Sequence, residues 1–318
     1  MRDEDWRPTC SIETLVARSQ TLASIRAFFA QRGVLEVDTP VLSRTTVTDP
    51  AIETLSLIDA GERRYLQTSP EYQMKRLLAA GAPSMVRIGP VFRAEESGRL
   101  HNPEFTMIEW YRLGFGLAQL MQEVAALVDL VLGEERSRSV TYHQLLREGA
   151  GVDAFESSTA ELTAALRRLG VELSSGAAAD RRALLDLLVT RAIDALGAGR
   201  VFITDYPADQ AALARLVPDS EGRRVAARFE LIIDGVEVAN GYDELADADV
   251  MERRMTMDLE QRRGSGRDEP ECDQRLLAAM RRGLPACSGV ALGFDRLMMR
   301  KLGAARIEEV MPFGIARA

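Results

Sequence analysis

A chain of 318 residues, 46% of them hydrophobic and 28% charged, can bury a substantial core as one large domain or two ordinary ones. The formal net charge of −8 argues against a protein that coats nucleic acid, since such proteins carry a basic face. Two histidines and three cysteines (Cys10, Cys272 and Cys287, with no CxxC or zinc spacing) leave no basis for a histidine-built metal centre. The charged start, Met1 to Trp6, is no signal peptide, and no apolar run approaches the ~18–20 residues that span a bilayer, so a reduced cytoplasmic protein is expected.

In chain order, residues 1–14 read as an N-terminal tail and 15–318 as one catalytic domain. Leu15, Val16, Leu22, Ile25, Phe28 and Phe29 recur at helical spacing, and Gly33 closes that helix. Val34 to Val37, Ile52 to Leu57 and Tyr65 to Gln67 read as short strands. Pro70 to Ala80 reads as a helix with Ser69 at its N-cap and proline at its first position. Met85 to Arg93 and Phe105 to Tyr111 form paired strands around a polar loop, followed by an amphipathic helix over Leu117 to Leu132. Residues 134–200, rich in alanine, leucine and arginine, read as a helical insertion with helices near 159–169 and 179–197. Strands resume at Val201–Thr204, Ala226–Ile233 and Val236–Glu244, with helices near 248–263 and 272–282. A last strand, Gly289–Gly293, runs into a helix beginning at Phe294. Antiparallel strands with helices outside them define an α+β class with a mostly antiparallel central sheet.

Three segments carry chemistry. The first is Val91-Phe92-Arg93-Ala94-Glu95, continued after a polar loop by His101-Asn102-Pro103-Glu104-Phe105-Thr106-Met107-Ile108-Glu109-Trp110-Tyr111. The second is Ser288-Gly289-Val290-Ala291-Leu292-Gly293-Phe294-Asp295-Arg296. Each attaches an arginine to an alternating strand. Two converging guanidiniums suit a triphosphate, because the planar fork binds phosphate oxygens in pairs. Taken singly, either segment reads equally well as a surface strand with a solvated arginine. The third segment, Arg228 to Glu244, reads as a hairpin turning at Asp234-Gly235. Glu237 and Asn240 can face a common cleft there, with Glu244 nearby. Carboxylates beside phosphates repel them unless a divalent cation intervenes, so Glu230 and Glu237 are candidate Mg²⁺ ligands.

These segments resemble the catalytic domain of class II aminoacyl-tRNA synthetases, in the lysyl branch. Gly33 to Pro40 resembles the family's first motif, Phe92 to Glu109 its second and Gly289 to Arg296 its third. His101 to Met107, and Asn240-Gly241-Tyr242 with Glu244, are specific to the lysyl branch. The resemblance implies a class II synthetase fold and assigns roles. Arg93 bridges the α-phosphate and the substrate carboxylate, Glu95 reads the adenine amino group and Phe105 stacks on adenine. Arg99 and His101 hold the γ-phosphate, Asn102 belongs to the ATP site with Glu237, and Arg296 clamps the nucleotide from the other side. Glu71 takes the substrate amino group and Asn240 its carboxylate. Tyr111 and Glu244 take the distal ammonium, with Ser69, Ala291 and Gly293 lining the same pocket. ATP and Mg²⁺ are the implied cofactors, and the first motif implies a homodimer in which Phe28, Phe29 and Val34 supply apolar surface.

The first motif starts at Gly33, close to Met1, so the anticodon-binding β-barrel of lysyl-tRNA synthetases is not expected ahead of it. The chain is therefore similar to the stand-alone paralogues that activate (R)-β-lysine, or lysine, and transfer it to a lysine side chain of elongation factor P. Ser69 stands where tRNA-charging relatives have alanine, and Ala291 where they have glycine. Ala94 and Asp243 depart from the paralogues, which usually have asparagine and histidine there. The implied partners are elongation factor P, the amino acid and a second copy of the chain, with no stable tRNA complex and no membrane. The alternatives are a truncated synthetase-like enzyme with another acceptor, such as tRNA or a metabolite, and an inactive binding or regulatory paralogue.

Overall fold

The computed structural model describes residues 6–172 and 180–318. Its first half runs α1 (Ile12–Gln31), β1 (Leu35–Glu36), β2 (Leu42–Ser43), β3 (Ser56–Asp59), β4 (Glu62–Leu66), α2 (Glu71–Ala79), β5 (Met85–Phe92), β6 (Glu104–Leu113) and α3 (Leu117–Leu132). Next come β7 (Arg138–Thr141), α4 (Tyr142–Ala150), α5 (Thr159–Arg168), α6 (Arg181–Asp194), β8 (Arg200–Pro207), β9 (Leu216–Pro218), β10 (Arg224–Ile233) and β11 (Val236–Asp243). The chain closes with α7 (Ala248–Gly264), α8 (Gln274–Gly283), β12 (Cys287–Gly293) and α9 (Phe294–Leu302). Two compact units result: residues Met1–Gly133 together with Glu244–Ala318, and residues Glu134–Asp243.

Local chemistry sets the boundaries. Helix α1 starts at Ile12 because the Ser11 hydroxyl accepts the Thr14 N–H at 3.2 Å, so the expected tail over 1–14 ends at Ser11, and residues 1–5 lie outside the described residues. Helix α2 starts at Glu71, one residue after the expected Pro70, yet the Ser69 hydroxyl still accepts the Glu71 N–H at 3.0 Å. The strand expected over Ile52–Leu57 forms only from Ser56 onward. Helix α4 is absent from the sequence reading; Thr141 and Gln144 make a capping box at its start.

In the first unit, β1 runs parallel to β5, β5 antiparallel to β6, and β6 antiparallel to β12, while β2, β4 and β3 form a separate three-stranded sheet. Alternation along β6 sends Ile108 and Trp110 into the core, together with Val86 of β5 and Val290 and Leu292 of β12. Trp110 meets Phe29 of α1 edge-on, with ring centroids 5.1 Å apart, and its indole N–H donates to Glu123 of α3 at 3.0 Å. The opposite face collects Arg87, Met107, Glu109, Tyr111, Gly289, Ala291 and Gly293. Phe28, Phe29 and Val34, expected to offer surface to a second copy, are buried within the unit. They pack inward because α1 covers the sheet; Leu35, Val41 and Leu42 are the exposed apolar residues of that stretch.

In the second unit β11 pairs with β10, β10 with β8 and β9, and β8 runs parallel to β7. One core takes Leu145 and Leu146 of α4, Leu162 and Leu166 of α5, and Leu184 and Leu188 of α6. The same core takes Val201, Ile203, Ala226 and Ile232 of the strands. The helical insertion expected at 134–200 is thus only part of a unit reaching Asp243, because its helices bury their apolar faces on strands that follow them. Of the helix expected over 179–197, residue 179 lies outside the described residues and the helix spans Arg181–Asp194.

A buried ion pair ties the first unit's segments together. Arg18 Nη1 lies 2.5 Å from Asp295 Oδ1 and donates to the Val310 carbonyl at 2.8 Å. Asp295 Oδ2 accepts the Thr106 N–H at 2.6 Å, and its side chain is 1% exposed. Removing one partner of such a pair leaves an uncompensated buried charge. Arg18→Met is therefore expected to destabilise the protein by about 3–5 kcal/mol, read as a lowered midpoint in urea unfolding; an unchanged midpoint would show that Asp295 is satisfied without Arg18.

Candidate functional site

The polar face of β6 and β12 carries a set of buried carboxylates. Glu109 accepts the Ser69 hydroxyl at 2.7 Å and the Tyr111 hydroxyl at 2.8 Å. Burial raises its carboxyl to about 7; the nearby Glu71 adds to this, while those two hydroxyl donors and Lys75 oppose it. Glu244 is pushed up to about 8 by burial, against the attraction of Lys75. Lys75, on α2, donates to Glu71 Oε1 at 2.6 Å and lies 2.7 Å from Glu244 Oε2. Burial alone would lower its pKa, but the Glu244 and Glu71 carboxylates hold its ammonium above the ordinary lysine range. Burial, reinforced by Glu109, Glu71 and Glu244, keeps the Tyr111 phenol protonated. Glu244 Oε1 is buried without a hydrogen-bond donor. A pocket of this kind suits a ligand that brings ammonium groups, because a buried acceptor without a donor is costly until one arrives.

The residues of the same unit that the resemblance assigns to the nucleotide lie on and beside the loop between β5 and β6 and at the start of α9. Arg93 places its guanidinium 5.2 Å from the Phe105 ring centroid and 3.5 Å from Glu96 Oε1, and its buried Nε–H has no acceptor. Glu95 adopts φ of 63°, a left-handed conformation that is uncommon outside glycine and concentrates at functional sites. Arg296 meets His101 with Nη2 and Nε2 2.7 Å apart, so the second and third motifs touch through two of the expected phosphate contacts. Arg99 is held through its carbonyl, which accepts the Ile307 N–H at 2.9 Å, leaving the loop's path set by the C-terminal segment. Asn102, expected among the ATP contacts, uses both ends of its amide inside the fold. It donates to the Glu104 carbonyl at 2.6 Å and accepts the Ile315 N–H at 3.0 Å, which makes it an anchor for the loop.

In the second unit the hairpin turns at Asp234-Gly235, with φ of 47° and 77°. A register shift between Leu231 and Ile232 places Ala239 opposite Leu231 but Glu237 opposite Ile232. Strict alternation would send residues 237 and 240 to opposite faces. The extra residue in β11 restores Glu237 to the face of Glu230 and Asn240. Arg228 donates to Glu230 and, at 3.2 Å, to Asn240 Oδ1, leaving the Asn240 Nδ2 group as a donor. Burial raises the Glu230 carboxyl; Arg228 opposes this and Glu237 adds to it. A divalent cation would relieve that repulsion, so the pair fits a Mg²⁺ that takes its other ligands from phosphates and water. Among the described residues no three His, Cys, Asp or Glu side chains group as a metal cage. Asp243 is paired with Arg215, so the carboxylate that stands in place of a usual histidine is neutralised within its own unit.

Sequence reasoning missed Lys75 and gave Glu109 and Gly289 no role. Their signals were present: a lysine at i+4 from Glu71, alternation putting Glu109 beside Tyr111's face, and a glycine opposite Tyr111. Gly289 matters by what it lacks. A Cβ there would lie 2.4 Å from Glu244 Oε1 and 2.4 Å from Tyr111 Cε1, closer than real contacts allow. Gly289→Ala is expected to displace both groups and reduce amino-acid-dependent activity by about 10²-fold or more, with little loss of nucleotide binding. Nucleotide titration and steady-state kinetics check this, and full activity would show that the pocket accommodates the methyl.

No helix among the described residues is long and apolar enough to cross a membrane. A family model described as tRNA synthetases class II (D, K and N) matches residues 3–317. The elongation factor P–(R)-β-lysine ligase of Vibrio vulnificus (strain YJ016) is 45% identical over 322 residues, covering 98% of this chain and 99% of its own. The proteins of the same name from Pasteurella multocida (strain Pm70) and Avibacterium paragallinarum are 43% and 42% identical, covering 99% and 100% of this chain and 99% and 100% of their own. With the second-motif arginine, the third-motif arginine and the carboxylate pocket all in place, the chain belongs to the class II tRNA synthetase family of the D, K and N type.

Proposed function

We propose that the protein is an ATP-dependent ligase that activates (R)-β-lysine as an aminoacyl-adenylate and transfers it to a lysine side chain of elongation factor P. The observation that carries this reading is the Glu244 carboxylate, 2% exposed, with Oε1 lacking a donor, beside the Tyr111 ring at Gly289. A side chain with no donor leaves the buried Glu244 Oε1 unsatisfied, which gives strong discrimination for an ammonium. The full-length similarity to ligases of that name supports the choice of amino acid and acceptor.

The reaction has two steps. The substrate carboxylate attacks the α-phosphorus and pyrophosphate leaves. The acceptor amine then attacks the acyl carbon and AMP leaves. Arg93 neutralises the charge that develops on the α-phosphate through donors already oriented by Phe105 and Glu96. Glu71 and Glu244 bind the two amino groups, and Asn240 Nδ2 takes the carboxylate. Glu95 reads adenine, Arg99, His101 and Arg296 hold the outer phosphates, and Gly293 keeps the floor of the site open. Glu230 and Glu237 are the carboxylates to hold Mg²⁺, which would offset phosphate charge. No side chain is needed as a nucleophile, since positioning and charge stabilisation supply the rate. The protein works in the cytoplasm as a homodimer through Leu35, Val41 and Leu42, exposed beside the edge strand β1. Its charge of −8 gives tRNA phosphates little to bind.

Mass spectrometry of elongation factor P after incubation with the protein, ATP and (R)-β-lysine should show one added lysyl mass; no addition would overturn the acceptor assignment. ATP–pyrophosphate exchange should proceed without any acceptor, and Arg93→Ala should slow it by about 10²-fold or more. Ala291 sits directly opposite Glu109 in the β6–β12 ladder, so its methyl projects onto the pocket floor. Ala291→Gly should raise kcat/KM for α-lysine relative to (R)-β-lysine by about 10-fold or more, the worth of one methyl in a tight site. An unchanged ratio would show that another group selects the isomer.

A further inference from the structure

Lys75 is one of two lysines in the chain, and its side chain is 1% exposed. It takes no part in the steps above. Its ammonium lies between two carboxylates from different segments: Glu71, one turn earlier on α2, at 2.6 Å, and Glu244, far along the chain, at 2.7 Å. These are the two groups assigned to the amino groups of the substrate. Glu71 is 14% exposed at the side chain, Glu244 2%, so both retain little water to screen them. Around this trio stand Glu109 and Tyr111 from β6, with Ser69 bonded to Glu109 at the start of α2.

We propose that Lys75 is a positioning residue for amino-acid recognition, an internal ammonium that fixes the spacing of Glu71 and Glu244 so that the substrate's ammonium groups dock on a preset carboxylate pair. The inference rests on the ligase reading above. Two like charges in a buried pocket would otherwise separate or take up a proton. A fixed cation between them opposes both, and leaves Glu244 Oε1 as the open acceptor. Lysine suits the place because its single point charge can be shared by two carboxylates from one apex, whereas a planar guanidinium favours one carboxylate in paired contact.

The sign of the pH effect follows from the groups named. Lys75 lowers the proton affinity of Glu244, while burial, Glu71 and Glu109 raise it. Losing Lys75 therefore moves the acid limb of activity to higher pH, since Glu244 must be ionised to bind an ammonium. Lys75→Met is expected to raise KM for (R)-β-lysine by about tenfold or more with kcat much less affected. It should also shift the acid limb of kcat/KM upward by about one pH unit. Lys75→Arg, which restores the charge, should return the limb toward wild type while KM stays raised. A merely structural lysine would lower stability and leave both the limb and the KM-to-kcat split unmoved.

A measurement on the unaltered protein removes dependence on whether the methionine variant folds. Heteronuclear NMR of the lysine ammonium groups has only Lys75 and Lys301 to distinguish. Adding (R)-β-lysine should shift the Lys75 signal and leave Lys301, which is bonded to the Val131 carbonyl, in place. Pyrophosphate exchange by wild type reports separately on the ligase reading. Exchange that proceeds while the Lys75 signal ignores substrate, or a folded Lys75→Met with wild-type KM and pH profile, overturns the proposal and leaves the ligase intact. Absence of exchange overturns the ligase reading itself.

Discussion

Everything in the first unit depends on the alternation of β6 around Trp110. The indole is fully buried, packed on Phe29 and bonded to Glu123, so the strand cannot turn over without exposing it. A slip of one residue would carry Glu109 and Tyr111 into the apolar layer and Trp110 into the pocket. Burial of one large aromatic on one face thus fixes the chemistry of the other. Because β5 and β12 flank β6 in antiparallel register, the same constraint aligns Arg87, Glu109 and Ala291 in one row and Met85, Tyr111 and Gly289 in the next.

That arrangement concentrates charge where the surroundings are least able to solvate it. Glu109 and Glu244 are both held well above the ordinary carboxylate range, chiefly by burial. Such groups weaken the empty fold and strengthen the bound one, since each Coulomb contact gains force as water is excluded. Hydroxyls from Ser69 and Tyr111 and the ammonium of Lys75 keep the penalty within what a core of this size can carry. Gly289 contributes by occupying no space, because the carboxylate and the phenol ring lie where a side chain would be.

The second-motif loop between β5 and β6 is stabilised by a different device. Residues far apart in sequence tie it down through the backbone: Ile307 N–H to the Arg99 carbonyl, and Ile315 N–H to Asn102. Val310 binds Arg18, which also holds Asp295 at the head of α9. The C-terminal segment therefore buttresses both the second-motif loop and the third-motif helix. A polar surface loop has little core of its own, so hydrogen bonds from a segment packed elsewhere give it a definite path.

Much of this was legible in the sequence, and the reason is periodicity. The helix Leu117–Leu132 appeared with its observed bounds, as apolar residues at helical spacing carry their own register. The hairpin turn declared itself through Asp234-Gly235, because a turn with positive φ at both central positions restricts the residue types that can form it. Arg93, Glu95, Arg296, Glu71, Tyr111 and Glu244 were named through the family resemblance that their motifs carry. What could not be read were effects that depend on three-dimensional neighbours. The register shift that turns Glu237 to the face of Asn240 depends on pairing with β10 and leaves no mark in residue type. Asn102 looks like a ligand contact until the C-terminus is seen to bind it. Phe28 and Phe29 looked like interface until the sheet covered them. The sequence by itself determined which chemical groups the protein owns and on which elements they ride, because local spacing sets element type. Only the tertiary structure decided which groups share a dry pocket, and so placed Lys75 between Glu71 and Glu244, because burial and charge pairing arise between segments that chain order keeps apart.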